Sequence, residues 1–134
     1  MMDDQQIRQW LQGVKRIAVV GLSDKPDRAS YQVAQYLLQQ GYEIIPVHPR
    51  IQSVFGIPAV RSLGEIEGEI DLVDIFRKSE DLPEVVKEAL QVGVKSIWVQ
   101  LGLENEAAHK LAEKAEIPYI ENRCIKIEHQ RLFK

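Results

Sequence analysis

The stretch from Ile17 to Ser30 constrains the fold of this 134-residue chain more than any other segment. Four apolar residues, 17–20, end at Gly21 and are followed by a polar loop and a helix that begins at Ser30. A buried strand joined by a glycine turn to a helix brings free backbone N–H groups and the positive end of a helix dipole to one point. The loop adds hydroxyl and cationic donors, at Ser23, Lys25, Arg28 and Ser30. We therefore expect this loop to bind a phosphate group, with a glycine at position 21 because a side chain there would fill the space that the phosphate needs.

Short apolar strands alternate with amphipathic helices along the rest of the chain. The pattern predicts strands over 16–20, 43–47, 70–76, 96–100 and 118–120. It predicts a first helix that Asp3 or Asp4 caps and that ends near Gly13, and a second helix that begins at Ser30, a residue able to cap it, and ends at Gly41. A third helix is capped by Ser79 or Asp81 and stopped by Gly93, and a fourth covers 104–115. An irregular segment covers 51–69, and the tail over 123–132 forms a helix or a strand and turn. Alternation of this kind favours a parallel sheet covered by helices on both faces. We predict an α/β fold with a doubly wound parallel sheet of about five strands, a Rossmann-like three-layer sandwich that residues 1–134 form as a single domain.

Charge and cysteine content narrow the class of protein. A net charge of −3 argues against a general affinity for nucleic acid or for an anionic membrane surface. The single cysteine, Cys124, cannot form a disulfide within the chain, which is typical of a reducing compartment. The N-terminus lacks the apolar core of a signal peptide, and no apolar run approaches the ~20 residues of a membrane span. We expect a cytoplasmic protein that is a monomer or a homodimer.

Ligands of such sheets bind beyond the C-terminal ends of the strands. An NAD fingerprint would need G-x-G-x-x-G and an acidic residue after the second strand. Here Gly21 is followed by no other glycine in the loop, and the second strand ends in Val47-His48-Pro49-Arg50. The P-loop pattern is also absent, so NAD and P-loop ATP hydrolysis are disfavoured. Arg50 suits a phosphate on the ribose of adenosine, which both NADP and coenzyme A (CoA) carry.

Five groups of segments follow one another along the chain in a distinctive order. They are Gly21-Leu22-Ser23 with Pro26–Tyr31, Gly41–Pro49, Val73–Arg77, Trp98–Gly102, and Asn122–Cys124 with Ile127–His129. Together these segments closely resemble the small bacterial and archaeal CoA-binding proteins, which are stand-alone versions of the CoA-binding Rossmann-like domain at the N-terminus of the succinyl-CoA synthetase alpha subunit. The resemblance covers roughly residues 5–132, and it implies a doubly wound parallel sheet with a CoA site at the C-terminal edge of the strands.

The resemblance also implies a role for individual residues. Carried over by position, Gly21 and Ser23, with Leu22 between them, lie at the pyrophosphate beside the helix that begins at Ser30, and Lys25 and Arg28 belong to the same loop. His48, Pro49 and Arg50 flank the adenosine 3′-phosphate, Phe76 and Arg77 border the adenine or the pantetheine channel, and Gln100, Leu101 and Gly102 line the far side. The sequence departs from the usual residues of the family at three positions: His48 for Asn, Ala29 for Pro and Asn122 for Asp.

No catalytic or metal-binding pattern accompanies these residues. Asp71 and Asp74 lie three apart on a strand and face opposite sides, so they make a poor acid–base pair. Cys124 has no activating base at a recognisable spacing and is expected to be a buried, inert thiol, and the three histidines form no metal motif. Ligase chemistry is not expected from this chain alone, because the phosphorylated histidine of succinyl-CoA synthetases lies in a later domain.

The sequence therefore predicts non-catalytic binding of CoA or an acyl-CoA by a carrier, sensor or regulatory partner. Two alternatives remain open at this stage: an NADP-dependent oxidoreductase of minimal size, and an interaction scaffold that binds no ligand.

Overall fold

The computed structural model describes residues 2–134. Its regular elements, in chain order, are α1 (Asp4–Gly13), β1 (Arg16–Val20), α2 (Ala29–Gln39), β2 (Glu43–Val47), β3 (Ser53–Val54), β4 (Ile57–Pro58), β5 (Leu72–Ile75), α3 (Leu82–Val92), β6 (Ile97–Val99), α4 (Glu106–Lys114), β7 (Tyr119–Ile120) and α5 (Ile125–Leu132). The predicted strands and helices are all present, and the tail forms a helix. Within residues 2–134, no helix has the length and apolar character needed to cross a membrane.

Five strands form one parallel sheet in the order β2-β1-β5-β6-β7. This confirms the predicted doubly wound parallel sheet. The connection after β1 leads to β2, on one side of β1 within the sheet. The connection after β2 leads to β5, on the opposite side of β1. Adjacent connections therefore diverge between β1 and β5. A crevice opens at such a switch point beyond the C-terminal ends of the strands. Gly21 follows β1 and Phe76 follows β5, so both residues lie at this crevice.

Alternate residues of each strand enter two separate cores. Ile17, Val19 and Trp98 pack with α1, α2 and α5, whereas Ala18 and Val73 pack on the opposite face with α3 and α4. Trp98 is fully buried, as its position on a central strand predicted. The β2 strand lies at the edge of the sheet, where a proline such as Pro46 is tolerated because one side of the strand needs no ladder donor.

The segment after β2 has more structure than its sequence predicts. Strands β3 and β4 form an antiparallel hairpin whose turn contains Phe55 and Gly56, both with positive φ. The chain then returns along β2, and Val60 pairs with Val47 in parallel. The His48 N–H donates to the Val60 carbonyl at 2.9 Å, and the Val60 N–H donates to the Pro46 carbonyl at 3.0 Å. This return places the following residue, Arg61, beside the C-terminal end of β2.

Side-chain capping also differs from the expectation at two helices. Asp3 caps α1 and forms a capping box with Gln6. By contrast, α2 begins at Ala29 after an N-cap residue, Arg28, whose side chain makes no cap bond, and α3 begins after Asp81, again without a side-chain cap. Ser30 therefore lies inside the first turn of α2, where its hydroxyl is available for another bond.

Candidate functional site

Three connected cavities form a groove along the C-terminal edge of the sheet, and Phe76 lines all of them. We call them the basic cavity (about 360 Å³), the loop cavity (about 510 Å³) and the apolar cavity (about 470 Å³). Gly21 and His48 join the basic cavity to the loop cavity, and Ala29 and Lys78 join the loop cavity to the apolar cavity. The groove thus runs continuously past the ends of the central strands.

The glycine turn after β1 brings two strand ends very close together. Gly21 has a φ of +85°, and its N–H donates to the Val47 carbonyl at 2.9 Å. A Cβ at this position would collide with the backbone carbonyl oxygen of Phe76. The tight turn at the end of β1 and the neighbouring end of β5 therefore both require glycine at this position, whatever ligand the loop binds.

The loop cavity lies at the N-terminus of α2 and is built by two serines. The Ser23 N–H donates to Ser30 Oγ at 3.0 Å, and the Lys25 N–H donates to Ser23 Oγ at 3.1 Å. Ser30 is buried, so its hydroxyl holds the loop against the helix. Because α2 has no side-chain cap, the N–H groups of its first turn are left without the usual internal acceptor. Such N–H groups, together with the helix dipole, form an anion site.

The basic cavity combines Arg50, Arg61 and Arg77 around the strand ends. Arg77 also makes an ion pair of 3.2 Å with Asp81, one of the two structural partners that its position suggested. His48 accepts the Arg50 N–H at Nδ1, at 3.0 Å. Partial burial, followed by the charge of Arg50, lowers the pKa of His48, and the carboxylate of Asp24 opposes this shift only in part.

The apolar cavity is lined mainly by hydrocarbon side chains of α2, α5 and the loop after β6. Leu101 is 62% exposed and Ile127 is 55% exposed, although most large apolar side chains of the described chain are buried. Gln100 is buried and accepts the Ile125 N–H at 3.2 Å, so it fixes the start of α5. Cys124 was expected to be buried, but it is half-buried and its side chain lines this cavity. It is the N-cap residue of α5, at the end of that helix rather than within its packed face.

Comparison with known proteins identifies the family of the chain. The family model of the CoA-binding domain matches residues 15–130. The chain therefore belongs to the CoA-binding domain family. An uncharacterized protein of Bacillus subtilis, YneT, is 48% identical over 124 residues, which are 92% of each chain. The solved structure of a Thermus thermophilus protein has 37% identity and a TM-score of 0.95, and the match covers 98% of this chain and 100% of that chain.

The same domain is related to a subunit of a larger enzyme. The alpha subunit of ADP-forming acetate–CoA ligase II from Pyrococcus furiosus is 35% identical over 84 residues, which are 62% of this chain and 18% of that subunit. The family match confirms the predicted resemblance to the small CoA-binding proteins, and the related ligase found here is an ADP-forming acetate–CoA ligase, whereas the sequence analysis named succinyl-CoA synthetase. Membership of the CoA-binding domain family supports CoA binding by this chain.

Most of the predicted site residues line the groove of this CoA-binding domain. The residues that do so are Gly21, Ser23, Arg28, Ser30, His48, Pro49, Arg50, Phe76, Arg77, Gln100 and Leu101. Leu22, Lys25 and Gly102 do not line it. The Leu22 side chain is fully buried in the core beneath α2, Lys25 is exposed, and the Gly102 N–H donates to Asn122 Oδ1 at 2.7 Å. Their predicted roles at the ligand remain predictions.

The structure adds groove residues that the sequence analysis did not select. Arg61 comes from the segment after β4, and Lys78 lies three residues beyond the end of β5. A positive charge close to the end of a predicted strand is the one sequence signal for Lys78, whereas no local pattern marks Arg61. Apolar residues also join the lining, and they are Ala29, Val33, Leu103 and Ile127.

Two of the three departures from the usual family residues have a local explanation. Ala29 is the first residue of α2, a position that suits proline because the N–H has no helical partner there. With alanine, this family member keeps one more N–H at the helix terminus. Asn122 has a φ of +60° and accepts a hydrogen bond through Oδ1, which an aspartate oxygen would also accept.

The cavity on the far edge of the sheet is less suited to an anion. A cavity of about 310 Å³ beside β7 has Glu113 and Glu121 in its lining, together with His109 and Arg123. Its two carboxylates disfavour a phosphate. Among residues 2–134, no group of His, Cys, Asp and Glu side chains is arranged to hold a metal ion.

Proposed function

We propose that this protein binds CoA or an acyl-CoA in the edge groove as a non-catalytic module, and acts as a carrier, sensor or regulatory partner. One observation carries the proposal, namely the order of the three cavities. A basic cavity, an uncapped helix N-terminus and an apolar cavity follow one another along the groove. The parts of CoA follow in the same order: the 3′-phosphate of the adenosine, the pyrophosphate and the largely apolar pantetheine arm.

The charge of the groove supports an anionic ligand. Its lining contains several cationic side chains and, within residues 2–134, none of the lining residues is Asp or Glu. The overall charge of the chain is nevertheless −3, so the positive charge is a local property of this groove. Charge-assisted hydrogen bonds from arginine to phosphate are about twice as strong as neutral ones. The cations are Arg28, Arg50, Arg61, Arg77 and Lys78.

The chemistry of the lining favours binding over catalysis. A groove lined without carboxylates offers no carboxylate base, and Nδ1 of His48 is occupied by the Arg50 N–H. The ligase activity named for the archaeal relative belongs to a subunit of which this chain matches 18%. We therefore propose that this chain binds the CoA ligand and does not itself carry out the ligase reaction.

Ligand-dependent thermal unfolding tests the proposal. The panel is CoA, acetyl-CoA, 3′-dephospho-CoA, NAD, NADP and ATP. A ligand at 100 times its dissociation constant adds about 2.7 kcal/mol of stability, so we expect CoA and acetyl-CoA to raise the melting temperature and dephospho-CoA to raise it less. A rise with NADP alone would favour a redox enzyme, and no rise with any ligand would favour a scaffold that acts through protein contacts.

Thiol release tests the non-catalytic part of the proposal. The protein is incubated with acetyl-CoA, and free CoA thiol is measured over time with a thiol-reactive dye. We expect the rate to equal that of acetyl-CoA alone. Faster release by the protein, abolished by competition with excess dephospho-CoA, would show that the groove catalyses thioester cleavage.

A further inference from the structure

The position of Arg61 follows from backbone pairing. The two hydrogen bonds between the Val60 backbone and the end of β2 place the next residue at the mouth of the basic cavity. On the other side, the Arg61 N–H donates to Glu65 Oε1 at 3.0 Å. The Arg61 backbone is thus held by the pairing of Val60 with β2 on one side and by the side-chain carboxylate of Glu65 on the other, at a point that is distant in sequence from the glycine loop.

The side chain of Arg61 is available for a ligand. In the described part of the chain, Arg61 makes no ion pair, whereas Arg77 in the same cavity is paired with Asp81. Arg50 also has no ion pair there, and it follows β2, the same strand end beside which Arg61 lies. The guanidinium groups of Arg50 and Arg61 repel each other, and a bound anion relieves that repulsion.

The groove therefore contains two separate anion sites. One is the N-terminus of α2 in the loop cavity, with Ser23 and Ser30. The other is the basic cavity, whose lining includes neither serine. A single pyrophosphate satisfies the first site only, so the second site requires a ligand that carries another phosphate at a distance.

We infer that Arg61 binds the 3′-phosphate of CoA and makes the protein selective for 3′-phosphorylated nucleotides over ligands that lack this group. The inference rests on the proposed binding of CoA. It assigns a ligand contact to residues 51–62, a segment in which no sequence pattern indicates a ligand role.

Binding of matched ligand pairs tests this assignment. Isothermal titration compares CoA with 3′-dephospho-CoA, and adenosine 3′,5′-bisphosphate with AMP, on the wild-type protein, Arg61→Gln, Arg61→Lys and Lys87→Gln. Lys87 is an exposed cation of α3 outside the groove, so Lys87→Gln removes the same charge elsewhere. Unfolding of each variant in urea verifies that the fold is retained.

We expect Arg61→Gln to weaken CoA and the bisphosphate by about tenfold, the effect of one lost charge-assisted bond, with AMP and dephospho-CoA changed by less than about twofold. Arg61→Lys keeps part of the affinity, and Lys87→Gln leaves it unchanged. Equal losses for both members of a pair, or no loss, would overturn the role of Arg61. If the wild-type protein binds neither CoA nor dephospho-CoA, the proposed function fails before the variants are compared.

Discussion

The Nδ1 atom of His48 accepts a hydrogen bond of 3.0 Å from the backbone N–H of Arg50. A side chain that accepts from the N–H two residues later is the arrangement of an Asx turn, which Asn and Asp form with their side-chain oxygens. His48 makes this bond with a ring nitrogen, at a position where the family usually has Asn. The departure at His48 therefore preserves the turn that holds Arg50 at the basic cavity.

The turn bond predicts different outcomes for two substitutions of His48. We expect His48→Asn to retain the turn and to keep CoA affinity within about twofold of wild type, because Oδ1 of Asn accepts the same N–H. His48→Ala loses the bond and lowers the free energy of unfolding by about 1 kcal/mol, with weaker CoA binding. Urea unfolding and titration calorimetry at pH 8, where the lowered pKa of His48 keeps the ring neutral, measure both quantities. Equal behaviour of the two variants would contradict this role.

The hydrogen bond accepted by the Ser30 hydroxyl predicts that both stability and CoA binding depend on this side chain. Ser30→Ala removes the acceptor of the Ser23 N–H and leaves that donor unpaired in the loop cavity. We expect a loss of about 1 kcal/mol of stability and about fivefold weaker CoA binding, because the loop no longer rests on α2. Ser30→Thr keeps an Oγ and serves as the control. The prediction fails if alanine and threonine weaken binding to the same extent.

The collision at Gly21 predicts a strong effect on folding. Gly21→Ala places a methyl group against the Phe76 carbonyl and forces a positive φ, so we expect it to cost about 2–4 kcal/mol of unfolding free energy. Gly41 is a matched control, because it has a φ of +97° but nothing within 4 Å of an added Cβ. Gly41→Ala is expected to cost only about 1 kcal/mol. Similar costs for the two variants in urea unfolding would show that the contact with Phe76 is unimportant.

Local sequence signals were sufficient for most of the fold. The bounds of β1 and β2 match their prediction, because each strand is a short apolar run that ends at a glycine or a proline turn. The β3–β4 hairpin was not predicted, since its turn contains Phe55 at positive φ instead of the Asn-Gly or Asp-Gly pair that marks such turns. Strand β5 is shorter than predicted because pairing with β1 and β6 ends before the apolar pattern does.

The candidate site was less predictable where it depends on contacts distant in sequence. Gly21 and His48 follow predicted strands and Phe76 ends one, and the edge of a parallel sheet brings such residues together. Arg61 reaches the same edge only through the pairing of Val60 with Val47, which no local pattern reveals. The half-buried position of Cys124 likewise depends on the tertiary position of α5.

The apolar cavity predicts a separable contribution to binding. The double variant Leu101→Ser, Ile127→Ser changes exposed side chains, so we expect a change of less than about 0.5 kcal/mol in stability. CoA binding weakens by about three- to tenfold through lost apolar contact, while adenosine 3′,5′-bisphosphate, which has no pantetheine arm, binds as before. Val92→Ser, an exposed position on α3 outside the groove, is the control. Equal weakening of both ligands in calorimetry would place the pantetheine arm elsewhere.

The carboxyl group of Asp74 lies fully buried on β5, between Val19 and Trp98. Neither of its oxygens has a hydrogen-bond partner among residues 2–134, and burial raises its pKa well above the ordinary value of 3.8. Between 3.8 and the native pKa, the unfolded chain has lost a proton that the native protein keeps. The stability contributed by this group is thus complete below pH 3.8 and is lost as the pH rises towards the native pKa, by about 1.4 kcal/mol for each pH unit.

Asp74→Asn removes this titration and predicts a pH-dependent gain in stability. We expect the free energy of unfolding of the variant to exceed that of the wild type by a margin that grows from about pH 4 towards neutral pH, with CoA affinity unchanged because Asp74 does not line the groove. Asp74→Leu, which has the same branched side-chain shape but methyl groups in place of the oxygens, also removes the unpaired polar atoms, and its margin over the wild type is expected to grow with pH in the same way. Urea unfolding of the three proteins across this pH range measures the margin. A margin that is constant with pH, or that shrinks as the pH rises, would contradict this prediction. It would mean that the native carboxyl group of Asp74 is ionised and that neighbouring groups compensate for the cost of burying its charge.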